Sequence, residues 1–192
     1  MSWRSFQDPP PPSLGLIELS SVARGIDTTD RMLKAAGVKL VMARTICSGK
    51  YLAMVAGELS EVQASIAAGL ERSRECTIDH LIIPDVHPDV YPALSSTNAL
   101  MNKSGALGVL ESFSVAALVD AIDHVAKAAY VEMVQCRLAM ALGGKAYLVF
   151  TGDVDAVRYA LEAGSEVVHR RGVLVDRVVI PDPRPELFQT LI

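Results

Sequence analysis

A short stretch, "TICSGKY" (residues 45 to 51), holds the side chain best suited to chemistry in this 192-residue chain. Cys47 stands beside Ser48 and Gly49 between two apolar runs, where a free thiol that only packs is out of place. A thiolate at a loop tip suits metal ligation, redox exchange or nucleophilic attack. The other cysteines, Cys76 and Cys136, fall at a helix end and within a strand and carry no chemistry on this reading. Three cysteines without C-x-x-C spacing argue against a disulfide framework. His80, His87, His124 and His169 show neither H-x-x-x-H nor H-E-x-x-H spacing, so a mononuclear zinc centre is not expected. A nucleophilic Cys47 needs a base within hydrogen-bond reach, and the sequence places no histidine beside it.

Other patterns resolve into structural readings. Glu18 and Glu111 recur in apolar strands and suggest a shared structural hydrogen bond rather than paired acid and base. "GGKA" lacks the upstream glycine and following Ser/Thr of a phosphate loop. Asp27, Asp30, Asp120 and Asp123 read as solvated helix positions.

The elements that must carry Cys47 come in two copies. "LGLIELSSVARGID" is answered by "LGVLESFSVAALVD", matching Gly15 to Gly108, Glu18 to Glu111, Val22 to Val115 and Asp27 to Asp120 at one constant offset. "SGKYLAMVAGELSEV" is answered by "GGKAYLVFTGDVDAV", matching Gly49 to Gly144, Lys50 to Lys145 and Gly57 to Gly152; "IIPD" is answered by "VIPD". Each copy reads as strand, helix, hairpin, helix, strand. In the first, Val22, Ile26, Thr29, Leu33 and Ala36 are expected to form one helix face after a serine cap, and Ser60 with Gln63 suggests a capping box for a second helix reaching about Glu75. The fold class is therefore α+β, two tandem ferredoxin-like βαββαβ units. The expected organisation is a proline-rich tail over 1–13, a first domain over 14–94, a linker over 95–104 and a second domain over 105–192.

Composition narrows the function. Hydrophobic residues make up 51% of the chain, yet no run is long enough for a membrane span. The surplus suits an extensive protein–protein interface, and a net charge of −4 gives no basis for nucleic acid or anionic membrane as a partner. The N-terminus lacks the apolar core of a signal peptide, which suggests a cytoplasmic protein.

From Leu14 to Leu191 the chain resembles the tandem-domain shell proteins of bacterial microcompartments, unpermuted in both halves. The resemblance is carried by "LGLIELSSVARGIDTTDRMLKAAGV", "TICSGKY", "GALGVLESFSVAALVDAIDHVAKAA", "ALGGKAYLVFTGDV" and "VIPDPRPELF". It implies a non-enzymatic tile of the microcompartment shell: a homotrimer that mimics a hexamer, partnered by other shell proteins and by encapsulated redox enzymes. The hairpin tips Cys47, Ser48, Gly49 and Leu142, Gly143, Gly144 would then be pore loops. The resemblance further implies one 4Fe-4S cluster per trimer, held by three Cys47 thiolates, and places shell-edge contacts on Lys34 and Lys127. Where the family often carries an Arg-Pro-His-like edge motif, the copies read "IPDVHP" and "IPDPRP", so His87 and Arg184 receive no edge role here. Two other classes stay open on the residues alone, a cysteine-dependent enzyme and a small-molecule-sensing oligomer.

Overall fold

The computed structural model describes residues 9–95 and 105–191. Most of the expected tail and linker thus lies outside the described residues. The rest falls into two compact units, one ending at Val86 and the other beginning at His87.

The first unit runs β1 (Ser13–Leu19), α1 (Val22–Ala35), β2 (Lys39–Ile46), β3 (Lys50–Gly57), α2 (Leu59–Ser73) and β4 (Thr77–Ile83). In the second, α3 (Val90–Leu94) precedes β5 (Ala106–Ser112), α4 (Val115–Ala128), β6 (Glu132–Leu138), β7 (Ala146–Gly152), α5 (Val154–Arg170), β8 (Leu174–Ile180) and α6 (Pro185–Thr190). The sheets have orders β2-β3-β1-β4 and β6-β7-β5-β8, antiparallel throughout. This is the βαββαβ arrangement expected from the sequence, twice.

The duplication extends to irregularities. β1 slips register against β4 between Glu18 and Leu19, and β5 slips against β8 between Glu111 and Ser112. β2 and β6 each carry a bulge against the next strand, between Leu40 and Met42 and between Met133 and Gln135. Bulges re-aim a strand, so the same bend recurs before both hairpin tips. Ser21 and Ser114 cap α1 and α4 alike, their hydroxyls accepting from the N–H of Arg24 and Ala117 at 3.3 and 3.1 Å.

Central strands hold the cores. Every residue of β1 is buried, and Ile17, Leu19, Tyr51, Ala53 and Val55 meet Met32, Val62 and Ile66 of the helices. In the second unit Phe188 of α6 packs on Leu107, Val134 and Val149.

Three expectations need correction. The buried face of α1 is Gly25, Thr28, Thr29 and Met32, whereas Ile26 is 58% and Leu33 37% exposed. The reason is close approach: a Cβ on Gly25 would lie 2.4 Å from Cγ of Tyr51, so the helix turns its smallest residue to the sheet there, and the adjacent Ile26 points outward. The Ser60–Gln63 capping box does not form, because α2 begins at Leu59 after Glu58 and Ser60 is already inside the first turn. Asp123 is not solvated, its packing being described below, and Asp120 is only 21% exposed in its side chain.

Candidate functional site: the hairpin tips and helix edges

β2 and β3 are joined by a 3-10 turn of three residues, Cys47–Gly49. So tight a reversal demands left-handed backbone, and Ser48 (φ 65) and Gly49 (φ 71) supply it. Cys47 is half-buried at the start of this turn, and Ser48 and Gly49 are exposed. A Cβ built on Gly49 would meet nothing within 4 Å. The turn is narrow, and the space beside Gly49 is open.

The second tip is built differently. β6 ends at Leu138 and β7 begins at Ala146, leaving a longer connection in which Ala139, Ala141, Gly143 and Gly144 all take positive φ. Leu142 is partly buried, and Gly143 meets nothing within 4 Å of an added Cβ. This tip presents apolar and backbone groups and, apart from the half-exposed thioether of Met140, no ligating side chain.

Both hairpins are braced from below by a repeated ion pair that the sequence announced only as matched positions. Lys50 Nζ lies 2.8 Å from Glu18 Oε1, and Lys145 Nζ lies 2.6 Å from Glu111 Oε1. Glu18 is only 3% exposed in its side chain against 29% for Glu111, so the pair beneath Cys47 sits in the drier setting. Each glutamate is paired with a lysine of its own unit, as expected of a structural group.

The fit of a metal cluster can be tested on donors. Among the described residues no group of three His, Cys, Asp or Glu side chains of one chain converges on a point where an ion would sit. One chain offers a single thiol at the tip. Any cluster held there must take ligands from several chains, and the small, open turn permits that.

The helix-edge lysines differ more than their matched positions suggest. Lys34 reaches Asp30 at 2.6 Å, with side chains 70% and 60% exposed. Lys127 reaches Asp123 at 2.7 Å, but that carboxylate is only 3% exposed and also accepts the main-chain N–H of His87 at 2.8 Å. The ion pair on α1 is therefore the more exposed of the two. Sequence spacing showed the i,i+4 pairs but not what covers one of them. Of the remaining cysteines, Cys76 packs against the first core and Cys136 is buried in β6.

Two tandem βαββαβ units, with matching register slips, capping serines and Glu–Lys braces beneath unequal hairpin tips, define a duplicated α+β module. The chain belongs to the BMC-domain family of bacterial microcompartment shell proteins, whose domain matches residues 13–86 and again 106–183. It is 39% identical over 180 residues to the bacterial microcompartment shell protein PduT of Citrobacter freundii, covering 94% of this chain and 97% of that one. The carboxysome assembly protein CcmO of Synechococcus elongatus is 29% identical, covering 93% of this chain and 68% of its own length. In three dimensions the chain is similar to a microcompartment protein from Desulfitobacterium hafniense DCB, with TM-score 0.86, 42% identity, and coverage of 92% and 98% of the two chains. No helix among the described residues is long and apolar enough to cross a membrane.

Proposed function

We propose that this shell protein assembles as a homotrimer in which each chain fills two places of a hexagonal tile, and that the tile's centre gathers three Cys47 thiolates around one 4Fe-4S cluster. The supporting observation is the tip itself: a half-buried thiol on a three-residue turn with exposed Ser48 and Gly49 and open space beside it. One thiolate per chain is too few, and threefold symmetry supplies three. Leu142, Gly143 and Gly144 of the other tip line the pore without ligating. A bound cluster would supply one-electron redox chemistry at the shell; Cys47 would hold it, and the Glu18–Lys50 pair would hold the turn. Other shell proteins are the partners at the tile's edges, with Lys34 and Lys127 among the edge residues, and encapsulated redox enzymes are the partners for electron exchange. The microcompartment shell, inside the cytoplasm, is the proposed location.

The relatives are named for structural roles, which favours a tile over a cysteine-dependent enzyme. The test is anaerobic purification with native mass, visible absorption, and iron and acid-labile sulfide content. The expected result is a trimer with about four irons per three chains and a broad band near ~400 nm, both iron and band lost in Cys47→Ser. A metal-free trimer would remove the cluster and leave a pore; a monomer would remove the tile.

A further inference from the structure

Helix α5 repeats α2 and strand β8 repeats β4, so the places where they differ show what one unit has that the other lacks. Gly152 answers Gly57 and Val157 answers Val62; on that register Gln63, Ala67 and Leu70 of α2 are replaced by Arg158, Glu162 and Ser165 of α5. "VIPD" answers "IIPD", and on that register His80 of β4 is replaced by Arg177 of β8. All four changes fall between the helix and the edge strand beside it. In the first unit this place is partly apolar, with Leu70 packed against the core and Ile66 only 1% exposed.

In the second unit the same place is an open groove of about 310 Å³, lined by Arg158, Leu161, Glu162, Arg177 and Val179. Nη1 of Arg177 donates to Glu162 Oε2 at 2.6 Å and to the Ser165 hydroxyl. One side of this guanidinium is thereby fixed, and its other N–H groups have no partner among the described residues. Arg158 is exposed and has no ion-pair or hydrogen-bond partner among the described residues. Glu162 stands one turn along the helix from it, yet that carboxylate holds Arg177 instead. Two guanidiniums and one carboxylate leave the groove with a surplus of one positive charge. A solvated ion pair needs only one arginine, and the second has no anion to answer it. Leu161, 5% exposed, and the partly buried Val179 supply an apolar wall beside these cations.

We propose that this groove binds a small organic monocarboxylate with a short apolar chain. A planar guanidinium matches the two oxygens of a carboxylate with parallel N–H donors. Arg158 and the free N–H groups of Arg177 hold the carboxylate between them, while Glu162 and Ser165 keep Arg177 in place. One negative charge neutralises the groove, whereas a dianion would set its second charge against Glu162. The chain lies along Leu161 and Val179, and its removal from water there adds to the affinity. The volume is at the small end of ligand sites, which suits a short acid rather than a nucleotide or a peptide. The site lies within the second unit and uses neither Cys47 nor any contact between copies, so it stands or falls separately from the tile and the cluster.

The test uses the full chain with leucine and valine methyls labelled for NMR, titrated with butyrate at constant ionic strength. The expected result is saturable shifts at the methyls of Leu161 and Val179, with a dissociation constant on the order of 1 mM. Arg158→Gln and Arg177→His each install the residue that the first unit carries, at positions exposed in the chain. Each is expected to weaken butyrate at least about tenfold while methyls away from the groove keep their shifts, which shows the fold intact. Acetate lacks two methylenes of the chain and should bind about tenfold more weakly than butyrate. No saturable shift up to about 50 mM butyrate, or shifts that survive both arginine substitutions, would overturn the site. Acetate or inorganic phosphate binding as tightly as butyrate would overturn the assignment to a monocarboxylate with an apolar chain.

Discussion

Gly25 and Tyr51 in the first unit occupy places filled by Leu118 and Ala146 in the second, a small–large pair answered by a large–small pair. Leu118 and Ala146 are fully buried, and Tyr51 is 7% exposed. A Cβ on Gly25 would sit 2.4 Å from Cγ and 2.6 Å from Cβ of Tyr51, and no rotamer change moves that Cβ. Gly25→Leu alone is therefore expected to destabilise by about 3 kcal/mol or more, despite the ~1 kcal/mol gained by removing a mid-helix glycine. Tyr51→Ala alone leaves a cavity and should cost about 3–5 kcal/mol. Together, Gly25→Leu and Tyr51→Ala bring in the second unit's residue types, but the alanine at 51 keeps the Cβ that a Gly25 Cβ would meet at 2.6 Å, so the helix must still shift outward. The double variant should be less destabilised than the sum of the two single changes by about 2 kcal/mol. Urea unfolding followed by circular dichroism reads this directly: with a slope of about 2 kcal/mol/M, each single change lowers the midpoint by more than about 1 M, and the double change lowers it by about 1 M less than the sum of the two. Additive losses in the double variant would refute the claim that the two units solve one packing problem in opposite ways.

Three further outcomes follow from particular contacts. Lys50→Ala strands the nearly buried Glu18 carboxylate and should cost about 2–3 kcal/mol, against under about 1 for Lys145→Ala beside the better-exposed Glu111; equal midpoint shifts in urea would contradict the burial difference. Thr28 is fully buried with no hydrogen-bond partner at Oγ1 among the described residues, and its repeat equivalent is Ala121; Thr28→Ala should hold or raise the melting temperature, by up to about 1 kcal/mol, and a clear loss would show that the hydroxyl has a partner. Burial pushes the Asp120 carboxyl up from its ordinary value, opposed by His124 and, more weakly, Arg171 and Arg170. A raised folded pKa penalises the charged form at neutral pH, and the penalty is relieved as pH falls through that raised value. Asp120→Asn should therefore stabilise by about 0.5 kcal/mol at pH 7 and converge with the parent in acid, as read from melting temperatures across pH.

The architecture was legible because duplication writes each element twice: turn glycines, capping serines and the "IIPD"/"VIPD" strand ends coincide, and chance does not align them in order. The face of α1 was not. Apolar spacing selects Ile26 and Leu33 for the core, but the governing constraint is a tyrosine ring a hairpin away that admits only glycine at position 25. Asp123 was misread for a related reason. Its sequence surroundings match those of exposed Asp30, and only the main-chain N–H of His87, distant in sequence, separates a buried carboxylate from a solvated one. The Glu18–Lys50 and Glu111–Lys145 pairs stood in plain view as repeated positions, and their union needed the register of β1 against β3 and of β5 against β7.

The divergence of the two tips bears on why a fused pair serves better than a single unit used six times. A cysteine on an unfused unit would face the centre of a sixfold ring in six copies, more thiolates than a cubane has irons, each repelling its neighbours when ionised. Fusion lets one hairpin keep a three-residue turn with Cys47 while the other lengthens and takes Gly143 and Gly144. In the proposed trimer this leaves three thiolates alternating with three glycine-containing loops. Grafting a cysteine onto the second tip tests that logic: Leu142→Cys adds three thiols without touching the first turn. If three well-placed ligands set cluster binding, iron content per trimer stays at about four and falls to none when Cys47→Ser is added. If instead Leu142→Cys restores iron to the Cys47→Ser chain, the two tips are interchangeable, and the tight turn carrying Cys47 has no special part in gathering ligands.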